Sequence, residues 1–326
     1  MIATTYKQAI TQGLADALAE DDSVFLFGED VAAAGGVFKA TEGLRERFGD
    51  TRVLDTPISE QAIVGAAIGA ALMGLRPIAE IMFADFAGVC FDGLANQLAK
   101  YRYMTGGQAS LPVTVRMANG SPGGFGAQHS QSGENWFLNI PGLKIVVPGT
   151  PADAYDLIRA AIRDPDPVLY YEHKGLYNIK GPLRAAADAR AEIGRAELVR
   201  QGGHVTVVAT QLMRHRAVEA TQVLAGEGIE VELIDLRTLV PLDLDAVLAS
   251  IERTNRLVVV QESSFGGSWG ATLVAAVLEQ AFEMLDAPPL VVRGDETPIA
   301  YAANLESAWL PDSQRIAEAI RRTVAY

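Results

Sequence analysis

The chain carries one cysteine, Cys90, in 326 residues. A single thiol excludes an intramolecular disulfide and suits a reducing compartment. Basic residues are also scarce: 27 Lys and Arg stand against 40 Asp and Glu, for a net charge of −13. No Lys/Arg-rich block occurs, which argues against a nucleic-acid footprint and leaves the acidity as a solubility feature. The longest uncharged apolar stretch, 62-AIVGAAIGAALMGL-75, is too short to span a bilayer and reads as a buried helix. The first residues, MIATTYKQAI, lack a basic region followed by an apolar run. No signal peptide is expected, and the expected compartment is the cytoplasm. No Gly-x-Gly-x-x-Gly joins a first strand to a helix, and no Gly-Lys-Ser/Thr closes a phosphate loop. Both absences argue against nicotinamide and nucleoside-triphosphate chemistry. With four histidines, none at His-x-x-x-His spacing, and no cysteine pair, a zinc site is not expected.

What the chain does have is apolar residue at 49% and a regular alternation of short β-rich runs with longer helical patterns. That alternation predicts an α/β fold with largely parallel sheets. Strands are expected at 23–29, 52–55, 77–83, 112–117, 143–148 and 168–172. Helices are expected at 5–20, 41–48, from about 60, 85–104 and 151–163. Residues 173–195 read as a linker. A second α/β unit follows, with strands at 204–210, 229–236, 256–262 and 290–293 and helices at 214–226, 243–252, 270–284 and 312–324. The expected architecture is two doubly wound domains, residues 1–185 and 195–326.

Several positions attract a chemical reading. In 55-DTPISEQAIVGAAIGAALMG-74, Ser59 is a candidate N-cap, and Glu60 lies in the first helical turn, where the helix dipole favours negative charge. The helix that follows is apolar all round, so it should be buried and closely packed. A carboxylate at its head stands where open α/β sheets bind ligands. Glu29 and Asp30 close the first strand at the same edge. Met82, Phe83 and Phe86 follow a strand and could face core or ligand, with core the better default, and Asp85 is a second capping candidate. Cys90 reads as a small core residue. The loop 161-AIRDPDP-167 is rich in oxygen donors, suited to a solvated turn or a hard cation. The stretch 118-ANGSPGGFGAQHSQSGENW-136 sets His129 among five glycines, open to a catalytic, anion-binding or turn role. His173, His204 and His215 read as structural.

Taken together, 27-FGEDV-31, 55-DTPISEQAIVGAAIGAALMGLRPIAEIMF-83, 101-YRYMTGGQ-108, 127-AQHSQS-132, 142-GLKIVVPGTPADA-154 and 295-DETPIAYAANLE-306 resemble one family. It is that of the β-subunits of thiamine-diphosphate-dependent, decarboxylating components of 2-oxo-acid dehydrogenase complexes, of pyruvate, branched-chain or acetoin type. The resemblance implies a thiamine-diphosphate pyrimidine-binding domain followed by a transketolase C-terminal-like domain. It also implies an α₂β₂ enzyme with the cofactor at the α/β interface. The family's Mg²⁺ and diphosphate motif belongs to the α-subunit, and Gly49-Asp50-Thr51 and Gly294-Asp295-Glu296 do not match it. Glu60 matches the glutamate that hydrogen-bonds N1′ of the aminopyrimidine. Met82 and Phe86 match residues packed against that ring, and Glu29 matches an acidic residue near it. His129 matches a histidine that assists reductive acylation of a lipoyl group carried by a dihydrolipoyl acyltransferase. Val113, Ala161, Ile162, Asp164 and Asp166 match a monovalent-cation (K⁺) site of some members, with aspartate at 166 where asparagine is common.

The expected reaction is decarboxylation of a 2-oxo acid, or cleavage of acetoin, with acyl transfer to the lipoyl group. Two rivals differ in class. A transketolase-like fragment would need an N-terminal cofactor domain ahead of Met1. A non-catalytic assembly subunit predicts loss of Glu60 or His129, and both are present.

Overall fold

A computed structural model describes residues 3–183 and 191–326. In chain order the elements are β1 (Ala3–Thr5), α1 (Tyr6–Glu20), β2 (Val24–Gly28), α2 (Leu44–Phe48), β3 (Val53–Asp55), α3 (Glu60–Leu72), β4 (Arg76–Ile81), α4 (Tyr101–Met104), β5 (Thr114–Asn119), β6 (Lys144–Val146), α5 (Pro151–Arg163), β7 (Val168–His173) and β8 (Lys180–Pro182). The second half holds β9 (Glu197–Arg200), β10 (Val205–Ala209), α6 (Gln211–Ala225), β11 (Val231–Asp235), β12 (Thr238–Val240), α7 (Leu244–Thr254), β13 (Leu257–Val260), α8 (Trp269–Ala281), β14 (Leu290–Val292), α9 (Ala303–Trp309) and α10 (Ser313–Val324).

Local chemistry sets the helix boundaries. Thr5 and Gln8 form a capping box at the start of α1. Thr150 caps α5 just before Pro151, where a missing N–H costs nothing. Asn255 ends α7 in the left-handed conformation. Ser59 occupies the N-cap position of α3, but its side chain makes no capping bond.

The first sheet has seven strands in the order β12-β6-β7-β5-β4-β2-β3, parallel except for β12. The chain runs from β2 outward to β3, then returns to place β4 on the other side of β2. Strand order therefore reverses between β2 and β4, and a crevice opens there at the carboxyl ends. The second sheet, β14-β13-β10-β11-β9, is parallel apart from its edge strand β9.

Four features differ from the sequence reading. The helix expected over 85–104 is a 3₁₀ turn (Ala84–Gly88), a π-helical segment (Gly93–Leu98) and the short α4. Gly93 lies so close to α3 that a Cβ there would stand 2.9 Å from Val64 Cγ1, so the segment bends around its neighbour. The expected linker is in part structured: His173 and Lys174 are buried and β8 pairs with β1, while 184–190 lie outside the described residues. Strand β12 leaves the second unit to edge the first sheet. Helix α3 is buried on one face only, by Ile63, Val64, Ala67 and Ile68. Gln61, Ala62, Gly65, Ala66 and Gly69 form an open apolar face, because small side chains satisfy either environment.

One apolar core crosses the domain boundary, joining Val64, Val115 and Phe137 of the first sheet's layer to Val208, Val259 and Trp269 of the second. Charges reinforce the junction. Arg237 pairs with Asp153 of α5 at 2.9 Å and Glu197 at 3.0 Å, while Arg214 pairs with Asp235 at 3.1 Å. Burial, then the nearby Asp153, pushes the Asp235 carboxyl up to about 7.

Gly142 marks the tightest approach. Its φ is +104°, and an added Cβ would lie 1.9 Å from the Ala99 carbonyl oxygen. Gly142→Ala is expected to lower unfolding stability by roughly 2–4 kcal/mol from overpacking plus backbone strain. A urea midpoint unchanged from that of the parent chain would refute this packing account.

Candidate active site

Glu29 follows β2 directly, and Glu60 opens α3 after β3, so both reach the switch-point crevice from the carboxyl edge. Both are buried, at 8% and 7% exposure. Neither carboxylate has a hydrogen bond or ion pair among the described residues. Burial, then the Glu60 charge, then Asp30, raise the Glu29 carboxyl above its ordinary range. The loop behind Glu29 is pinned by Asp55, whose carboxylate accepts the Ala32 and Ala33 N–H groups at 2.7 and 3.0 Å. Two acceptors on largely buried residues, with no donor from the described residues, stand ready for a ligand that supplies N–H groups.

An aromatic wall stands beside them. Phe83 meets Phe38, Phe86 and Phe125 with ring centroids 5.6, 5.7 and 5.8 Å apart, all in edge or tilted geometry. Met82 lines a small gap with Phe38, Met117 and Tyr177. The half-buried His129 ring packs against Phe83 at 4.8 Å and Phe86 at 5.2 Å. The structure thus brings His129 and Phe86 into contact and sets Met82 on the same strand end. Cys90 is buried behind this wall, where burial and then the Glu60 charge push its thiol up to about 12. It is no nucleophile at neutral pH.

The glycine-rich loop is held from outside. Gly120 has φ +73°, and a Cβ there would lie 2.5 Å from His173 Nε2 and 3.0 Å from Glu262 Oε1. Only glycine admits that pair. Glu262, just past β13, accepts the Ser121 N–H at 2.5 Å and holds His173 Nε2 at 2.7 Å. His173 Nδ1 accepts from the Gly175 N–H, so Nε2 carries the proton. Glu306 of α9 accepts from the Ser121 hydroxyl at 2.5 Å and from the N–H groups of Gly123 and Gly124, each at 3.1 Å. Further along, Lys174 Nζ donates to the His129 carbonyl, and Asp85 accepts from the Gln131 backbone and side chain. Asp85 is thus a loop anchor and not a helix cap. Asn119 ties Glu134, whose carboxyl burial pushes up to about 7.

Beneath the wall lies a charge triad: Arg116 donates to Glu80 at 2.5 Å and to Glu172 at 2.7 Å, and the Tyr177 hydroxyl donates to Glu172. Burial raises Glu80 despite the opposing Arg116 charge. One cation between two carboxylates ties β4, β5 and β7 together under the site.

The oxygens expected to hold a monovalent cation carry side chains instead. Lys144 Nζ lies 2.7 Å from both carboxylate oxygens of Asp164 and 3.7 Å from Asp166, which also accepts from Arg102. Arg76 donates to the carbonyls of Ile162 and Asp164 at 3.0 and 3.3 Å. The Val113 and Ala161 carbonyls accept backbone N–H groups from Val168 and Asp164. Lys144, Arg102 and Arg76 thus meet both carboxylates and two of the carbonyls of this set.

Sequence reading passed over Lys174, Phe125, Glu262 and Glu306. Its available signal was the run 171-YEHKG-175, in which a lysine follows directly on a buried strand.

Residues 3–180 match the family described as Transketolase, pyrimidine binding domain, and residues 194–316 match Transketolase, C-terminal domain. The chain is 47% identical to the acetoin:2,6-dichlorophenolindophenol oxidoreductase subunit beta of Cupriavidus necator, over 98% of this chain and 96% of that protein. It is 44% identical to the same-named subunit of Bacillus subtilis, over 94% and 93%. It is 40% identical to the pyruvate dehydrogenase E1 component subunit beta of Rickettsia felis, over 99% and 98%. A solved split-gene transketolase, described as an inactive β4 tetramer, shares the fold. Its TM-score is 0.80 at 23% identity, covering 99% of this chain and 98% of that one. The chain belongs to the family of acetoin and pyruvate dehydrogenase β-subunits, built from a transketolase pyrimidine-binding domain and a transketolase C-terminal domain.

Proposed function

We propose that this chain is the β-subunit of a thiamine-diphosphate-dependent dehydrogenase that cleaves a 2-oxo acid and passes the acyl group to a lipoyl group of a dihydrolipoyl acyltransferase. The observation that carries the reading is the pair of buried, unpartnered carboxylates, Glu29 and Glu60, at the switch-point crevice. An aminopyrimidine offers the N–H donors that such a pair lacks, and Met82 and Phe86 supply an apolar flank for a flat ring. The residues fit the pyrimidine end of the cofactor. Mg²⁺ and the diphosphate fall to an α-subunit, which the open apolar face of α3 and the exposed Ile58 and Met73 leave room to bind. Such a pairing makes an α₂β₂ assembly. Among the described residues no helix is long and apolar enough to cross a membrane. The lone buried thiol supports a cytoplasmic setting.

Thiamine diphosphate supplies, when bound, the carbon nucleophile that no side chain provides. This chain's residues do the rest on their side of the site. Glu60, at the head of α3, would hold and exchange a proton with a ring nitrogen of the bound cofactor. Phe83 and Phe86 exclude water from the reacting face. His129, packed edge-on against both rings, presents its imidazole to an incoming dithiolane and gives a proton to the sulfur released during acyl transfer.

A second reading, acetoin as acyl donor, is supported by identity: 47% and 44% to the acetoin-named relatives against 40% to the Rickettsia protein. A substrate screen of pyruvate, branched-chain 2-oxo acids and acetoin on the co-expressed α/β enzyme separates the two.

Three outcomes are expected. The purified chain with thiamine diphosphate and Mg²⁺ has no turnover alone; robust activity without an α-subunit would sink the half-site reading. In the reconstituted enzyme, Glu60→Gln lowers the dye-coupled rate about 100-fold or more. A rate near that of the parent enzyme would remove Glu60 from the proton path. His129→Ala depresses lipoyl acylation about 100-fold, and far more than dye-coupled turnover. Equal losses in the two assays would assign the imidazole a structural role.

A further inference from the structure

Among the described residues, Lys174 seats its ammonium directly against the His129 loop. It opens a 3₁₀ turn (Lys174–Leu176) at the end of β7 and is 7% exposed. Its Nζ donates to the His129 main-chain carbonyl at 2.5 Å. The same ammonium stands 5.2 Å over the Phe83 ring and 5.4 Å over the Phe125 ring. Phe83 in turn carries the His129 imidazole on its edge at 4.8 Å. One cation therefore holds both the backbone behind the histidine and the ring in front of it.

We propose that Lys174 is a positioning residue for acyl transfer, its ammonium clamping the His129 carbonyl and the Phe83 face so that the imidazole stays aimed at the site entrance. This inference rests on the acyl-transfer reading for its purpose, but the clamp itself is a property of the chain.

Its energetics favour a functional reason. Burying an ammonium is costly unless it is fully bonded, and only one hydrogen-bond acceptor is present among the described residues. Burial accordingly pulls the lysine down to about 8, opposed by Asp85 in the turn after β4, Glu262 after β13 and Glu306 on α9. His173, the other titratable group beside it, is already bonded to Glu262 and Gly175. A lowered lysine pKa makes the folded state bind fewer protons than the unfolded chain. Stability therefore rises with pH from about 8 toward the ordinary lysine value of 10.5, while the clamp is lost as pH rises through about 8. The amine gives up both the charge–ring attraction and its charge-assisted bond when it deprotonates.

The test uses the full chain labelled with ¹⁵N-histidine. With four histidines, His129 is assignable by single substitution. In the parent chain the His129 ring signals should move with a midpoint near 8 as Lys174 loses its proton. In Lys174→Met they should already sit at the high-pH positions once the imidazole itself is neutral. In Lys174→Arg the midpoint near 8 should vanish. His204 and His215, which bond to Glu230 and Gly149 elsewhere, should keep their parent signals in both variants. His129 signals unchanged in Lys174→Met, or no movement near pH 8 in the parent chain, would overturn the clamp. Simultaneous shifts of His204 and His215 would also overturn it, as a general packing role.

In the reconstituted enzyme, Lys174→Met should lower lipoyl acylation about 10-fold or more, with part restored by Lys174→Arg. A parent enzyme that transfers no acyl group would refute the proposed function while the histidine signals still decide the clamp.

Discussion

The grip of two second-domain carboxylates on the glycine-rich loop is the constraint on which the site depends. Glu262 and Glu306 accept hydrogen bonds from Ser121, Gly123 and Gly124, partners up to 185 positions away in sequence. A loop with five glycines loses much conformational entropy on ordering, and charge-assisted bonds from carboxylates are strong enough to offset it. With Asp85 holding Gln131 and Lys174 holding the His129 carbonyl at the loop's other end, His129 stands in one place relative to Phe83 and Phe86. The second domain thus fixes the start of the loop that carries His129.

Around that grip, charge is distributed in two ways. Carboxylates that do structural work are bonded: Glu172 and Glu80 to Arg116, Asp164 to Lys144, Asp153 to Arg237. Glu29 and Glu60 are buried without such partners. The contrast sets these two carboxylates apart from the bonded ones, because their oxygens remain open to accept from a ligand.

Much of this was legible in the residues. Glu60 at the head of an apolar helix, Glu29 at a strand end and His129 on a glycine-rich loop were all recognisable, because each depends on local pattern. The role of the glycines was not. The run of five glycines left the role of His129 open, and Gly120 in fact makes room for His173 and Glu262. The oxygen-rich loop at 161–167 suggested a cation. Lys144 and Arg102, distant in sequence, meet its carboxylates, and no spacing rule anticipates that. Helix α3 read as buried all round because alanine and glycine do not distinguish a core from a subunit face.

The sequence by itself determined the α/β alternation and the carboxylate at the α3 N-terminus. These rest on contacts within a few residues. Tertiary structure alone decided which carboxylates stay unpaired, how β12 crosses to the first sheet, and that Lys174 sits behind His129. Such outcomes depend on which strand ends meet at the reversal between β2 and β4. Long-range pairing sets that meeting point, so no local window of the chain contains it.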